Sequence, residues 1–245
     1  PSATMPEAHL LSNGRYHVMI SSAGGGYSRW KNLSLTRWRE DPTRDCWGMF
    51  IYIRDVDSGQ VWSAAHQPVL RSARSYEVIY TQARAEFRQE RAGLLIHTEI
   101  CVSPEDDVEL RKVELTNRSS PRPLNLELTS FAEVVLAPPG SDLAHPAFSN
   151  LFVQTEFVAE SGALLCTRRA RSEGERPPWL LHLIGGSGGQ GGDISCETDR
   201  GRFVGRGRSL TSPAAMDAAL PLSNTAGSVL DPVISLRRRI TVEPG

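Results

Sequence analysis

The stretch "LLIHTEICV", residues 94–102, decides the fold. Leu94, Ile96, Thr98, Ile100 and Val102 recur every second residue. That period puts all five on one face of an extended strand, whereas a helix would return its apolar stripe every three to four residues. The neighbouring runs repeat the pattern. "SYEVIY" aligns Tyr76, Val78 and Tyr80, and "GRYHVMI" aligns Tyr16, Val18 and Ile20. "GMFIYIRD" and "VWSAA" flank "DVDSGQ", which predicts a hairpin with Ser58 and Gly59 in the tight connection. "VELRKVEL" runs into the turn-forming "TNRSSPRP", and "LNLEL" resumes. "LFVQTEFV", "ALLCTRR" and "WLLHLI" continue the alternation. No long stretch holds a capped amphipathic helical period. Many short strands at regular spacing predict an all-β sandwich with few short helices.

Three segments interrupt the strands. "APPGSDLAHPAFSN" (137–150) reads as a long proline-containing loop, "GGSGGQGG" (185–192) as a flexible linker, and "TSPAAMDAALPLSNTAG" (211–227) as small and polar with a short helix at 213–219. Long loops on a rigid sheet are where function concentrates.

The totals narrow the classes. The chain has 245 residues, enough to bury a core as one β-sandwich domain spanning 1–245. Lys plus Arg is 27 and Asp plus Glu is 28, so the charge balance argues against a nucleic-acid partner. Nearly all the positive charge is arginine; the lysines are Lys31 and Lys112. Cys46, Cys101, Cys166 and Cys196 lie outside metal-ligand spacing and read as buried free thiols of a reducing, cytoplasmic compartment. The expectation is therefore no metal site and no cofactor. No apolar run approaches transmembrane length, and the N-terminus lacks a signal-peptide core, so no membrane contact is expected of this segment. Without an initiator Met, and stopping at "TVEPG", the chain reads as a piece of something longer.

Two arginine-rich stretches carry the candidate chemistry. "GGGYSRWKNLSLTRWREDPTRDCWG" mixes Trp38 with Arg37, Arg39 and Asp45. Aromatic faces stack on sugar rings while Arg and Asp hydrogen-bond their hydroxyls; the alternative is tryptophans in the core and charges in a surface ladder. Trp62 and His66 would lie near this run if the hairpin forms, and His145 and Phe148 in the long loop join them as candidate substrate contacts. "ETDRGRFVGRGRSL" (197–210) is neither a Walker A motif nor a dinucleotide fingerprint. If extended, it would put Arg206 and Arg208 on one face. Glu197 and Asp199 beside Arg200, Arg202, Arg206 and Arg208 predict an ion-pair corner. A sugar or phosphate ligand and a contact to another domain are the other readings. No catalytic triad presents itself, and the six histidines are scattered.

"NGRYHVMISSAGGGYSRWKNLSLTRWREDPTRDCWGMFIYIRDVDSGQVWSAAHQPV", "HPAFSNLFVQTE", "ETDRGRFVGRGRSL" and "GSVLDPVISLRRRI" together resemble the N-terminal β-sandwich region of glycoside hydrolase family 94. That family holds cellobiose and chitobiose phosphorylases and the phosphorylase-like part of cyclic β-1,2-glucan synthases. The resemblance implies a large antiparallel β supersandwich similar to the galactose-mutarotase fold. It also implies a following (α/α)6 barrel that carries the catalytic acid and the phosphate site, with inorganic phosphate as co-substrate of the parent. The parent would act on a β-linked glucan or oligosaccharide, form a homodimer and attach to the inner membrane. This segment would then hold no catalytic residue, and would shape substrate access and assembly. A free-standing carbohydrate-binding module and a purely structural dimerisation domain are the rival readings.

Overall fold

The computed structural model describes residues 7–118, 121–170, 172–186 and 194–245. In chain order the strands begin β1 (Ala8–Ser12), β2 (Tyr16–Ser21), β3 (Gly26–Trp30), β4 (Leu33–Thr36), β5 (Phe50–Asp55) and β6 (Val61–Ser63). Then follow β7 (Ser75–Tyr80), β8 (Arg84–Arg91), β9 (Leu94–Val102), β10 (Glu109–Asn117) and the long β11 (Leu124–Ala137). Two short helices, α1 (Pro139–Ala144) and α2 (Pro146–Asn150), precede β12 (Val153–Val158), β13 (Ala163–Arg168) and β14 (Leu180–Leu183). The chain closes with β15 (Ser195–Asp199), the short helix α3 (Arg200–Val204), a 3-10 turn at Ala214–Met216, and β16 (Pro232–Val242).

Among the described residues these strands form three antiparallel sheets. The largest runs β1-β2-β3-β4-β11-β16-β15, with β5 also pairing with β11 and β6 with β5. The others are β10-β9-β8-β7 and β12-β13-β14. The period-two reading of the sequence is therefore correct, and the hairpin predicted around Ser58 and Gly59 forms with Tyr52 opposite Ser63 and Ile53 opposite Trp62. No helix among the described residues is long and apolar enough to cross a membrane.

The central strand β11 organises the layers. Its even-numbered residues face the two smaller sheets. Leu126 joins Ile53, Trp62, Leu94 and Ile96 against the four-stranded sheet. Ala132, Val134 and Leu136 join Val153, Leu164, Cys166 and Ile234 against the three-stranded sheet. Leu11, Val18 and Ile20 of β1 and β2 extend the first of these layers onto Ala85, Phe87 and Ile100. On the reverse face Phe131 packs with Phe50, Tyr52, Phe203, Val204 and Met216, so α3 and the 3-10 turn cover it.

Three local expectations are corrected. Residues 137–150 are not an irregular loop: Pro139 and Pro146 each sit in a first helical turn, where the missing N–H costs nothing, and nucleate α1 and α2. "RFVGRGR" is not extended. Asp199 caps α3 by accepting from the N–H groups of Gly201 and Arg202, and Gly205 and Gly207 at positive φ turn the chain away. The expected helix at 213–219 contracts to the 3-10 turn. The linker reading of 185–192 falls mostly outside the described residues.

The glycines of "GGGY" are packing residues. A Cβ on Gly26 would lie 1.9 Å from the Met19 carbonyl oxygen, and one on Gly25 would lie 2.4 Å from that of Asp45. Gly26 also has φ +154, which side chains disfavour. Gly26→Ala is expected to abolish soluble expression or to lower the thermal midpoint by about 4–12 °C, on the order of a 2–3 kcal/mol loss. Phe87→Ala, at a fully buried site, should cost about 3–5 kcal/mol in urea denaturation.

Candidate functional site

Both arginine-rich stretches converge on the reverse face of β11. Its odd-numbered residues include two buried glutamates, Glu127 and Glu133. A buried carboxylate is costly unless it is paired and hydrogen-bonded. Arginines from distant segments meet each one.

At Glu133, Arg37 follows directly on β4, and its backbone N–H donates to the Glu133 carbonyl at 3.0 Å. The Arg37 guanidinium then fans out. Nη1 donates to Glu133 Oε2 at 2.6 Å, Nη2 donates to Asn150 Oδ1 at 2.6 Å, and Nη2 and Nε face the two Asp142 oxygens at 3.1 and 3.4 Å. Arg39 reaches the same Asp142 at 2.6 Å. From α3, Arg200 Nε donates to Glu133 Oε1 at 2.6 Å, and its Nη1 lies 3.6 Å from Asp231. Asp231 in turn accepts from Asn150 Nδ2 at 3.0 Å. Three guanidiniums thus oppose three carboxylates, so the cluster is neutral. Arg37, Glu133 and Asp142 are 7%, 5% and 2% exposed, which leaves little water to screen them.

The protonation behaviour follows. Burial alone would lower the pKa of Arg37, but the Asp142 and Glu133 carboxylates outweigh it and hold the pKa above its ordinary value. For Asp231 burial raises the pKa and the Glu133 charge adds to it; Arg200 and Arg37 offset only part. The fold therefore opposes ionisation of Asp231.

The second glutamate repeats the scheme. Glu127 lies opposite Arg54 of β5 and Arg239 of β16. Arg239 Nε donates to it at 2.9 Å, with Arg54 at 3.6 Å and Arg237 at 3.9 Å. Arg237 also donates to Thr129 Oγ1 and to the carbonyls of Leu220 and Ala215, which ties the 215–222 segment to the sheet. Burial lowers the Arg237 pKa to about 10, although Glu127 opposes the shift.

The candidates named from the sequence therefore separate. Arg37, Arg39 and Arg200 come together in the network. Trp38 stays half-buried and meets Tyr27 edge-on at 5.6 Å, and Arg29 stacks on Tyr27 at 4.3 Å. Asp45 is fixed by its backbone against Gly25. Trp62 is a core residue facing the four-stranded sheet. His66 packs on Tyr76, and burial lowers its pKa. His145 joins α1 to α2, and Phe148 is 57% exposed beside Phe152. In the 197–210 stretch Asp199 caps α3 and lies 3.9 Å from Arg202, Arg208 pairs with Asp217 at 2.6 Å, and Arg206 is exposed. Glu197 pairs with no arginine there: it accepts from the N–H groups of Thr198 and Asp199 and from Ser223 Oγ.

Sequence reasoning missed the carboxylate side: Glu133, Asp142, Asp231 and Glu127. The available signal was two glutamates inside the otherwise apolar "LELTSFAEVVLA", on the same face by period two.

The network also has a structural product. Asp142 belongs to α1 and Asn150 to α2, so Arg37 holds the α1–α2 segment onto β11. The outward side of that segment carries Leu143, Phe148 and Leu151 at 67%, 57% and 43% exposure. Cys46, Trp47, Gly48 and Leu210 close over Arg37 and Glu133 and leave only a shallow crevice. The charges hold the ridge segment, and among the described residues no cleft of sugar size opens at the cluster.

Three antiparallel sheets pinned by buried ion pairs and bearing an apolar ridge define a β supersandwich domain. More specifically, the chain belongs to the glycosyl hydrolase 94 supersandwich-domain family, whose model matches residues 1–245. It is 39% identical over 239 residues to the cyclic beta-(1,2)-glucan synthase NdvB of Rhizobium meliloti (strain 1021), covering 98% of this chain and 8% of that protein. It is 24% identical over 250 residues to an N,N'-diacetylchitobiose phosphorylase of Vibrio proteolyticus, covering 100% of this chain and 30% of the relative. It is 27% identical over 197 residues to a solabiose phosphorylase of Paenibacillus borealis, covering 80% and 24%. The chain thus spans less than a third of the length of these relatives.

Arg37→Met is expected to cost about 3–5 kcal/mol, because it leaves Glu133 with Arg200 alone and Asp142 with Arg39 alone, one buried oxygen of each carboxylate losing its donor. Arg208→Met, at an exposed pair, should stay within about 0–1 kcal/mol. The pH dependence of Asp231 has a definite sign. Its folded pKa is raised, so its contribution to stability is greatest below the unfolded carboxylate pKa and is lost as pH rises through the folded value. Asp231→Asn should therefore cost least at neutral pH, with its disadvantage growing on acidification. Urea titrations of wild type and variant at pH 7 and below pH 4 check this.

Proposed function

We propose that this supersandwich is the assembly and substrate-access module of a larger glycoside phosphorylase or cyclic glucan synthase. The observation that carries the reading is the α1–α2 ridge. Three large apolar side chains stand in water on a segment held by buried charges, and hydrophobic isosteres often stabilise such sites as well or better. An arrangement that spends buried charge to position a ridge fits a contact surface better than it fits stability.

In the longer enzyme the ridge would border the part that carries the chemistry, an (α/α)6 barrel holding the catalytic acid. Inorganic phosphate would be the co-substrate and a β-linked glucan or oligosaccharide the substrate. The similarity to enzymes named as phosphorylases supports phosphate at that level. The proposal extends to a homodimeric enzyme on the cytoplasmic side of the membrane. A second reading, sugar binding by the chain itself, rests on Trp38 set edge-on to Tyr27 with Arg29 alongside.

The paired variant Leu143→Ser/Phe148→Ser should leave the stability of the 245-residue chain within about 0.5 kcal/mol, since both sites are exposed. In the full-length enzyme it should lower kcat/KM at least tenfold or shift the oligomeric state. Full activity and unchanged assembly would reject the ridge as a contact surface. Calorimetric titration of the chain with β-1,2-glucan decides the second reading: saturable heat that Trp38→Ala removes would favour it.

A further inference from the structure

The three-stranded sheet is apolar on both faces along its β14 edge, while Gln154, Glu156 and Thr167 make the outer face polar toward β12. Leu164 and Cys166 of β13 pair across to His182 and Leu180 of β14. Val153, Leu164 and Cys166, with Leu180 packed against them, face the core. By the same register the alternate residues face outward. Leu165 lies opposite Leu181, and Ala163 lies between Val158 and Leu183. Trp179 continues this side of β14 by one more alternation. Trp179, Leu181 and Leu183 are 63%, 57% and 58% exposed, while Glu156 and Gln154 of β12 border the same face. An antiparallel sheet with one solvated face normally alternates apolar inside with polar outside. Here "WLLHLI" is apolar on the outside as well.

We infer that this outer face is covered by an amphipathic helix of the same polypeptide, from beyond residues 1–245. The inference extends the assembly reading above to a second surface, and the surface itself is defined by the register of β12, β13 and β14 and the exposure of β14. Three considerations select the occupant. A sheet face that is apolar needs a second layer, and strands about 4.8 Å apart give three strands a width of about 10 Å, close to that of one helix. The relatives are longer than this chain, which covers 8%, 30% and 24% of them, so most of such a polypeptide lies elsewhere. A tethered segment also meets the face at an effective concentration that a free partner seldom reaches. The face is tied to the ridge too: Arg169, just after β13, donates to the carbonyls of Leu151 and Phe152, where the ridge runs into β12. One covering element would find both surfaces within reach.

The partner is recognised by chemistry. Its inward stripe would be aliphatic, to meet Leu165, Leu181 and Leu183. A basic residue at its margin would meet Glu156, which the register places beside Leu165.

Hydrogen–deuterium exchange of residues 179–184, compared between the 245-residue chain and the full-length enzyme that carries it, tests the inference. Exchange should be at least about tenfold slower in the full-length enzyme, and the Leu181→Ser/Leu183→Ser variant of that enzyme should lose the protection. Sedimentation of the 245-residue chain should give a monomer at all concentrations as far as this face is concerned. Equal exchange in both proteins would overturn the inference. Concentration-dependent self-association that Leu181→Ser/Leu183→Ser abolishes would overturn it as well, by assigning the face to a second copy. The ridge variant Leu143→Ser/Phe148→Ser reads separately: if it disturbs assembly while 179–184 exchanges equally, the assembly module stands and this inference fails.

Discussion

The guanidinium of Arg37 is the contact on which the placement of the α1–α2 segment depends. Arg37 follows directly on β4, takes its place by a backbone bond to Glu133 of β11, and hands its donors to Glu133, Asp142 and Asn150. Those acceptors come from the central strand, from α1 and from α2. Only arginine offers enough donors in a fixed plane to reach all three. Lysine would present one point charge and leave buried carboxylate oxygens without partners. One side chain thus joins β11, α1 and α2, with Arg39 and Arg200 completing the neutralisation.

The same logic explains why β11 is long and buried on both faces. Its even side packs aliphatic residues against two separate sheets, which supplies the apolar burial that drives folding. Its odd side carries Glu127 and Glu133, six residues apart, each collecting arginines from strands distant in sequence. Arg237 and Arg239 anchor the 215–222 segment at one end, while Arg37 and Arg200 anchor the helices at the other. Non-directional burial builds the sandwich, and directional pairing then fixes the segments that lie on it.

The sandwich was legible in the sequence because period two is a local signal, repeated in Leu94–Val102, Tyr76–Tyr80 and Tyr16–Ile20. The hairpin at Ser58 and Gly59 was legible for the same reason. The ion-pair network was half legible. Its arginines stood out by density, but their partners Glu133, Asp142 and Asp231 lie 96, 105 and 194 positions from Arg37, and pairing at that range depends on topology. The hairpin brings the segment after Trp62 to the start of the aromatic run, where Ala65 faces Gly24 and Gln67 donates to Ala23, while the Trp62 indole itself goes to the core because burial of so large a side chain outweighs stacking at the surface. The helices at 139–150 were hidden because prolines read as breakers, although each opens a first turn here.

Native-state hydrogen exchange on Asp142→Asn tests the central claim most directly. This variant removes one charge from the ridge side of the network and leaves Glu133 with Arg37 and Arg200. If the pairing positions the ridge, amides of residues 140–150 should exchange at least about tenfold faster than in wild type, with residues 94–102 changed far less. Equal acceleration in both segments, or none in the ridge, would mean that the helices are held by packing alone and that the buried charges serve some other end.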